Sequence, residues 1–578
     1  MTVKSKPSSL AFPKLAIPGV IFLLGLLLTL WLQVFAGDGA FFSSDAGLKA
    51  LLSQQIAAQI KAGSFPLSMA IDSGNSTADW VSQLWSQGLA PVVAPFATDV
   101  GSQRFVAFSF IFPLLTAPFY ALFKGPGLYV VPIVSLWIVW GRFWQIGLRA
   151  GWDAASLSLG LFALIFASPL SLYGSMYWEH TLAVALAFWG ITALLYPRKS
   201  FVPYTYLSGS RLLISGVLVG LSVWFRPEFA ALVLAVCFVA IAGWLFPKWR
   251  LITPLSLVDV GIFIGSIACI VGVFLALNYA VYGHPLGLHG LQIVNQAWAG
   301  SPLLQALVSY SQTLFGLWRY VPIAVLAVIA ALCSPEFRRA NLKTTNRFKG
   351  FKTPNVEEIG IISPAQNSPL PGRAALLLCC LFVVALPLIL PGGIGGKQWG
   401  PRLYLILVPL LSLVLAEQLR VGFFQNWARR LLLVGAAIAL AFGIHINTLN
   451  GAFNVYSDPQ TRSTSLLANY VLVKDAIAQL KAQPTPWIAT DRQSAAHQLW
   501  SALPSKTFFL AQTTDEIVQL ANALSTQNES AFLYVCQANY ECAVAETSEL
   551  TLANGNKLSF ESMGQFGRYP LYKVEISS

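Results

Sequence analysis

Apolar runs long enough to cross a bilayer begin near residues 15, 105, 128, 154, 181, 211, 229, 255, 315, 373, 401 and 429. Each predicts a helix, because about 20 apolar residues at helical rise match the hydrocarbon thickness. Two polar stretches interrupt the series. Residues 37–104 follow the first run, and residues 336–372 are rich in Lys, Asn, Thr and Pro. After residue 454 the pattern changes. "PWIATD", "KTFFLA" and "AFLYVC" predict short strands, residues 492–503 and 513–525 predict helices between them, and "KLSFESMGQFGRYPLYKVEI" predicts a closing hairpin. The predicted fold class is therefore an α-helical polytopic membrane protein. A transmembrane domain over 1–454 is followed by a small α/β domain over 455–578.

Composition excludes a soluble globular chain. Of 578 residues, 56% are hydrophobic and 10% charged, against roughly 25% charged in soluble proteins. No signal-peptide cleavage pattern follows the first run, so residues 15–36 are expected to remain as an anchor. Cys237, Cys269, Cys333, Cys379 and Cys380 lie in or beside apolar runs and read as small core residues. Cys536 and Cys542 lie in the polar C-terminal region, as a disulfide or as two unrelated buried thiols.

The net charge of +12 follows from orientation. Lys4, Lys6 and Lys14 put the N-terminus in the cytoplasm. Arg198, Lys199 and Arg211, then Lys248 and Arg250, belong inside by the same bias. So do the basic residues of 336–373 and Arg420, Arg429 and Arg430. If every run crosses, residues 197–212 fall outside. If 105–123 does not cross, all the basic loops fall inside. Pro113 and Pro118 interrupt that run, which fits an interfacial or re-entrant segment. The expectation is about eleven spans in the cell (inner) membrane, with residues 37–123 as a first outer loop plus interfacial helices. The loop 336–372 is then cytoplasmic and the C-terminal domain extracytoplasmic. More than half of the 36 Lys and Arg are then cytoplasmic, and no nucleic-acid partner is needed.

This parity gathers polar groups on the outer face. Asp45, Asp72, Asp79 and Asp99 lie in the first outer loop, and Glu179 and His180 sit between two runs. Arg226 and Glu228 occupy an outer turn in "VWFRPEFAAL". His284 and His289 follow a span in "NYAVYGHPLGLHG", and Lys397, Gln398 and Arg402 precede one in "GGIGGKQWGPRLYL". Ionisable groups at a membrane edge point to function. Each also has a plainer explanation. Asp45 is a natural helix N-cap with Ser43 and Ser44 as rivals, and capping alone is the better account of it. Pro227 and Glu228 suit a helix start. The histidines can serve their loop, and Arg402 can anchor an interface. Tyr173, Tyr177 and Trp178 would partly desolvate Glu179 and His180. Asp491 ends a strand, where ligands often bind in open sheets, but no glycine-rich loop follows it. No HExxH or CxxC pair supports a zinc site.

The order of elements, with "SSDAGLK", "SPLSLYGSMYWEHTLAVALAF", "GLSVWFRPEFAAL", "NYAVYGHPLGLHG" and "QWGPRLYLILVPLL", resembles the GT-C superfamily. These are polytopic glycosyltransferases that use polyprenyl-phosphate-linked sugars, including protein O-mannosyltransferases and lipid A aminoarabinose transferases. The likeness covers roughly residues 10–450 at the level of architecture. It implies a sugar transferase, inverting by direct displacement, with a polyprenyl-phosphate sugar donor, an acceptor that is glycan, lipid or protein, and membrane lipid as its surroundings. Asp45 matches the family's outer-loop acid and is the candidate base, with Glu179 and His180 as further catalytic candidates. Arg226, Lys397 and Arg402 are candidates for the leaving phosphate, and Glu228, His284, His289 and Gln398 complete the expected substrate-binding set. This chain has a single Asp where better-known members carry a pair. No cofactor is therefore expected with certainty, and a divalent cation (Mg or Mn) is the open alternative. Rival readings are a transporter or flippase of a lipid-linked saccharide, a surface-polysaccharide ligase or polymerase, and a scaffold displaying the C-terminal domain. No internal repeat favours the transporter.

The parity argument has a direct test. Arg198→Cys in a chain cleared of reactive thiols is expected to react with a membrane-impermeant maleimide only from the cytoplasmic side. Labelling from outside overturns the assignment of every loop that follows.

Overall fold

The computed structural model describes residues 11–36, 39–71, 79–101, 103–196, 209–247, 251–252, 254–297, 301–333, 371–390, 399–419, 426–454, 465–538, 540–544, 549–552 and 555–577. The first apolar run forms α1 (Ala11–Gln33). Its large side chains Val20, Leu23, Leu27 and Leu30 are each at least half exposed. In a chain this apolar, such a face is solvated by lipid, and no partner helix is required.

The polar stretch after α1 then folds as α2 (Ser44–Ala62). Ser43 caps it, its hydroxyl accepting from the Ala46 N–H at 3.4 Å. Capping therefore falls to Ser43, and Asp45 lies in the first turn with no capping duty. A hairpin of β1 (Ala97–Val100) and β2 (Gln103–Val106) leads into α3 (Ile111–Phe123). The run that begins near residue 105 is thus a strand first and a helix second. The 13 residues of α3 span about 20 Å, short of the roughly 30 Å of bilayer hydrocarbon.

The bundle continues with α4 (Val130–Ala150), α5 (Ala154–Phe166), α6 (His180–Leu195), α7 (Gly209–Phe225) and α8 (Phe229–Leu245). There follow α9 (Leu257–Tyr282), α10 (Gly287–Ala297), α11 (Pro302–Tyr320) and α12 (Pro322–Cys333). The last of the bundle are α13 (Pro371–Ile389), α14 (Leu407–Leu419) and α15 (Asn426–Ile444). Five described helical segments are long and apolar enough to span alone: 16–33, 130–150, 257–282, 371–389 and 429–453. The run near 315 is not one straight span. Helices α11 and α12 meet at 98°, because Pro322 has no N–H to continue the ladder and disfavours helical backbone at Val321. The others are apolar but shorter.

The C-terminal region follows its predicted pattern. Helix α16 (Leu466–Ala482) leads to β3 (Trp487–Thr490), α17 (Gln493–Trp500), β4 (Thr507–Leu510), α18 (Thr514–Thr526) and β5 (Ala531–Val535). Then come β6 (Glu549–Thr551), β7 (Lys557–Phe566) and β8 (Tyr569–Ser577). The six-stranded sheet runs β4-β3-β5-β8-β7-β6. Strand β3 pairs parallel with β4 and β5, and the closing hairpin adds antiparallel to β5. Cys536 and Cys542 form a disulfide after β5. The 336–372 loop and the basic positions 198, 199, 248, 250 and 420 lie outside the described residues, apart from Pro371 and Gly372 at the start of α13.

Candidate active site

Helix α2 packs against α3 and α17 and carries Asp45, Lys49 and Ser53 at four-residue spacing, which places them along one face. Ser53 shares hydroxyl hydrogen bonds with Thr116 of α3 at 3.0 Å and with Tyr177 at 2.7 Å. Thr116 and Tyr177 bond each other at 2.7 Å. This buried hydroxyl triangle fixes α2 to α3 and to the segment that carries Glu179.

One turn from Ser53, the Lys49 Nζ donates to Glu179 Oε2 at 2.6 Å. Arg226 Nη1 donates to Glu179 Oε1 at 3.3 Å, and Arg226 Nη2 pairs with Glu228. Four charges of alternating sign thus join three elements: α2, the start of α6, and the turn between α7 and α8. Lys49 is 5% exposed, Glu179 7% and Glu228 4%, so water contributes little and each ion depends on its neighbours. Lys49 also lies over the Phe108 ring at 4.8 Å. Sequence reasoning missed Lys49. Its available signal was the i, i+4 relation to Asp45 inside "SSDAGLK".

Asp45 stands beside this network and outside its pairing. It keeps partial solvent access, but the surrounding protein displaces enough water to push its carboxyl above the ordinary range. The charges of Lys49, Arg402 and Arg226 pull the other way. Arg402 enters the site on the short helical turn Arg402–Tyr404. Before it, Gly400 has φ +70° and a side chain there would strike Tyr320, so the tight turn requires glycine. The Trp399 N–H donates to the Tyr173 hydroxyl at 3.2 Å, which donates back to the Trp399 carbonyl at 3.1 Å. His180, 3% exposed, packs with its ring tilted against Tyr173 and Trp178 at centroid distances of 5.1 and 4.9 Å.

A cleft enclosing about 540 Å³ of empty space, its open mouth included, is lined by Lys49, Glu179, Arg226, Glu228 and His289, with aromatics such as Phe108. Asp45, His180 and Arg402 are not among its lining residues. His289 packs against the Phe108 ring at 5.3 Å, tilted by 51°. His284 does not join this cluster. Its Nδ1 accepts from the Leu286 N–H at 3.3 Å and stabilises the turn that follows α9. Asp99 likewise serves its hairpin, paired with Arg104 at 2.8 Å. Lys397, Gln398 and Asp72 lie outside the described residues. Asp491 follows β3 as expected. Burial raises its carboxyl to about 6, and one oxygen accepts from the Gln537 N–H at 3.2 Å.

The donors present do not fit a tightly held divalent ion. Both oxygens of Glu179 are engaged by cations and Glu228 is paired with Arg226, which leaves Asp45 as the one carboxylate of the cluster outside an ion pair among the described residues. No described group of three His, Cys, Asp or Glu is arranged to ligate a metal.

The class this architecture defines is a helical integral membrane protein with a charged site where interfacial helices meet the bundle. Comparison with solved structures specifies the fold. The crystal structure of ArnT from Cupriavidus metallidurans bound to undecaprenyl phosphate aligns with a TM-score of 0.52 at 12% identity, covering 96% of this chain and 97% of that one. The apo state of the same protein aligns at 0.49, also at 12% identity and with the same coverage. An apo oligosaccharyltransferase from Archaeoglobus fulgidus aligns at 0.39 and 12% identity, covering 89% of this chain and 69% of that one. The alignment at 0.52 shows that the chain shares the fold of that ArnT structure, in keeping with the resemblance of its sequence motifs. No protein-family model matches it, and no curated protein matches it either.

The ion-pair chain predicts a characteristic non-additivity. Lys49→Met, which strands Glu179, is expected to cost about 3–5 kcal/mol of stability. Lys49→Met combined with Glu179→Gln is expected to cost clearly less than the two single losses together. Thermal unfolding in detergent measures both, and strict additivity would show that the two side chains are not coupled.

Proposed function

We propose that the protein is a membrane glycosyltransferase that moves a sugar from a polyprenyl-phosphate donor to an acceptor on the extracytoplasmic face. The observation that carries this reading is the position of Asp45, a carboxylate outside the ion-pair chain and within electrostatic reach of Lys49, Arg226 and Arg402. The shared fold supports it, and undecaprenyl phosphate is bound in the ArnT structure of that fold. The loop charges support the outward orientation of the site. So does the Cys536–Cys542 disulfide, since such bonds persist in oxidising compartments.

In this mechanism Asp45 accepts the proton of the acceptor hydroxyl or amine as it attacks the anomeric carbon. The bond from that carbon to the phosphate oxygen breaks as the new bond forms. The electron pair leaves with polyprenyl phosphate, and direct displacement inverts the anomeric centre. Arg226 and Arg402, with Lys397 as a further candidate, stabilise the charge that grows on the leaving phosphate. Lys49 adds a cation that the sequence did not single out. Glu179 and Glu228 hold the cations in place, His289 lines the pocket for the sugar or acceptor, and His180 supports it from behind through Tyr173 and Trp178. The lipid tail runs in an apolar groove at bilayer depth beside α3.

Two measurements test the assignment together. Asp45→Asn, assayed with a panel of radiolabelled undecaprenyl-phosphate sugars, is expected to lower kcat by about 10²–10⁴-fold. The base works as a carboxylate, so wild-type activity is present above its pKa and lost as pH falls through it. Because burial raises that pKa, the acid limb of kcat/KM is expected above the ordinary aspartate value of about 3.9. Wild-type turnover by Asp45→Asn removes Asp45 from the chemistry. Movement of donor across sealed vesicles with its glycosidic bond intact would favour a transporter.

A further inference from the structure

Two main-chain carbonyls connect the C-terminal domain to the charged cluster. Phe41 lies four residues before Asp45, and its carbonyl accepts from Asn469 Nδ2 at 2.8 Å and from Gln498 Nε2 at 2.5 Å. Ser175 lies four residues before Glu179, and its carbonyl accepts from the Tyr470 hydroxyl at 2.7 Å and from Gln33 Nε2 at 3.3 Å. Asn469 and Tyr470 are consecutive residues of α16, so one helical turn holds both loops. The donors are themselves fixed from the sheet. Tyr569 donates to Gln498 Oε1 at 2.7 Å, and Arg568 Nη2 donates to Asn469 Oδ1 at 2.5 Å. Asn469, Tyr470 and Gln498 are all nearly fully buried.

Helix α17 is also seated directly on α2. A Cβ built on Gly47, between Asp45 and Lys49, would lie 1.9 Å from the His497 carbonyl oxygen. Only glycine permits this approach. Gln54 of α2 donates to the Ser501 carbonyl just beyond α17.

We propose that the C-terminal domain is the positioning element of the site, with Asn469, Tyr470 and Gln498 as positioning residues that set where Asp45 and Glu179 stand. This rests on the reading of Asp45 as the base. Adhesion alone needs only apolar area, which the Trp85–Trp500 contact at 5.6 Å already supplies. Instead, buried amide and hydroxyl donors converge on the two backbone carbonyls that lead into the charged residues. A carbonyl held by two buried donors has both lone pairs in use and little freedom to shift. A displacement near 1 Å at a reacting group costs about 10²-fold in rate.

The test uses the full-length protein in lipid nanodiscs. Gln498→Met keeps the side-chain length and removes the donor to Phe41. Donor-sugar kinetics and backbone hydrogen exchange over residues 41–49 are measured on the same preparation. The expected result is a fall in kcat of at least about tenfold, donor KM within twofold of wild type, and faster exchange over 41–49. Gln519→Ala is the control. It removes a bond of 2.9 Å to Gln87 elsewhere on the same interface and is expected to leave kcat within twofold. Unchanged kcat, or a fall in kcat with unchanged exchange, overturns the proposal, and so does an equal loss in Gln519→Ala. Should Gln498→Met fail to fold, Gln498→Glu carries the same test, since it keeps the acceptor for Tyr569 and still lacks the donor. If the wild-type chain transfers no sugar, the transferase reading fails instead. Hydrogen exchange then decides on its own, and unchanged protection over 41–49 in the variant overturns the positioning role.

Discussion

Two cations and two carboxylates alternate through the middle of the site, from Lys49 through Glu179 and Arg226 to Glu228. With the Ser53–Thr116–Tyr177 hydroxyl triangle, they hold α2 against the bundle with charge on its inner face. Ions taken from water into a protein interior lose several kcal/mol of hydration each. They persist here because every charge meets an opposite one and the set sums to zero. The constraint is geometric as well as energetic. Glu179 must present one oxygen to α2 and the other to the α7–α8 turn, so three elements far apart in sequence are set relative to one another by one carboxylate.

A neutral network changes what the remaining charges can do. Asp45 lies near it without being absorbed into it, and the field it experiences is that of a preorganised array. Such an array can stabilise charge that develops during a reaction without first reorganising. Burial raises the Asp45 carboxyl while the nearby cations restrain the rise. The base proposed here needs this balance. Complete pairing would leave its lone pairs occupied, and complete desolvation would keep it protonated.

The parts of this architecture that were legible in the sequence are those written in local periodicity. Long apolar runs located the helices, and short apolar runs located β3, β4 and β5, because each depends on residues a few positions apart. "WFRPEF" marked Arg226 and Glu228 by the conflict between charge and membrane. Lys49 was passed over because a lysine on a polar helix looks solvated. Its burial depends on Glu179, 130 residues away, and no local pattern encodes that distance. His284 and His289 look equivalent in "GHPLGLHG". The turn that ends α9 separates them, sending one to a backbone N–H and the other to the cleft. The bend at Val321 was available in Pro322, but an apolar run spreads over a kink as readily as over a straight helix.

The same distinction explains why the C-terminal domain is hard to judge from its own sequence. Its strands and helices form an α/β unit whose internal logic is complete, with hydrophobic strands covered by α17 and α18, and read alone it suggests an appendage. What ties it to the site is polar and long-range. Asn469 and Gln498 have unremarkable sequence contexts, and Phe41 contributes only a carbonyl, which every residue possesses. Backbone acceptors leave no trace in composition. Yet a buried carbonyl is costly when unpaired, so the loop that carries Asp45 must find donors or unfold locally. Supplying those donors from buried side chains of two helices, α16 and α17, restricts that loop more tightly than water could. On the proposed positioning role, α2 and the C-terminal domain act as one mechanical unit, and the helical bundle provides the surface on which that unit is set.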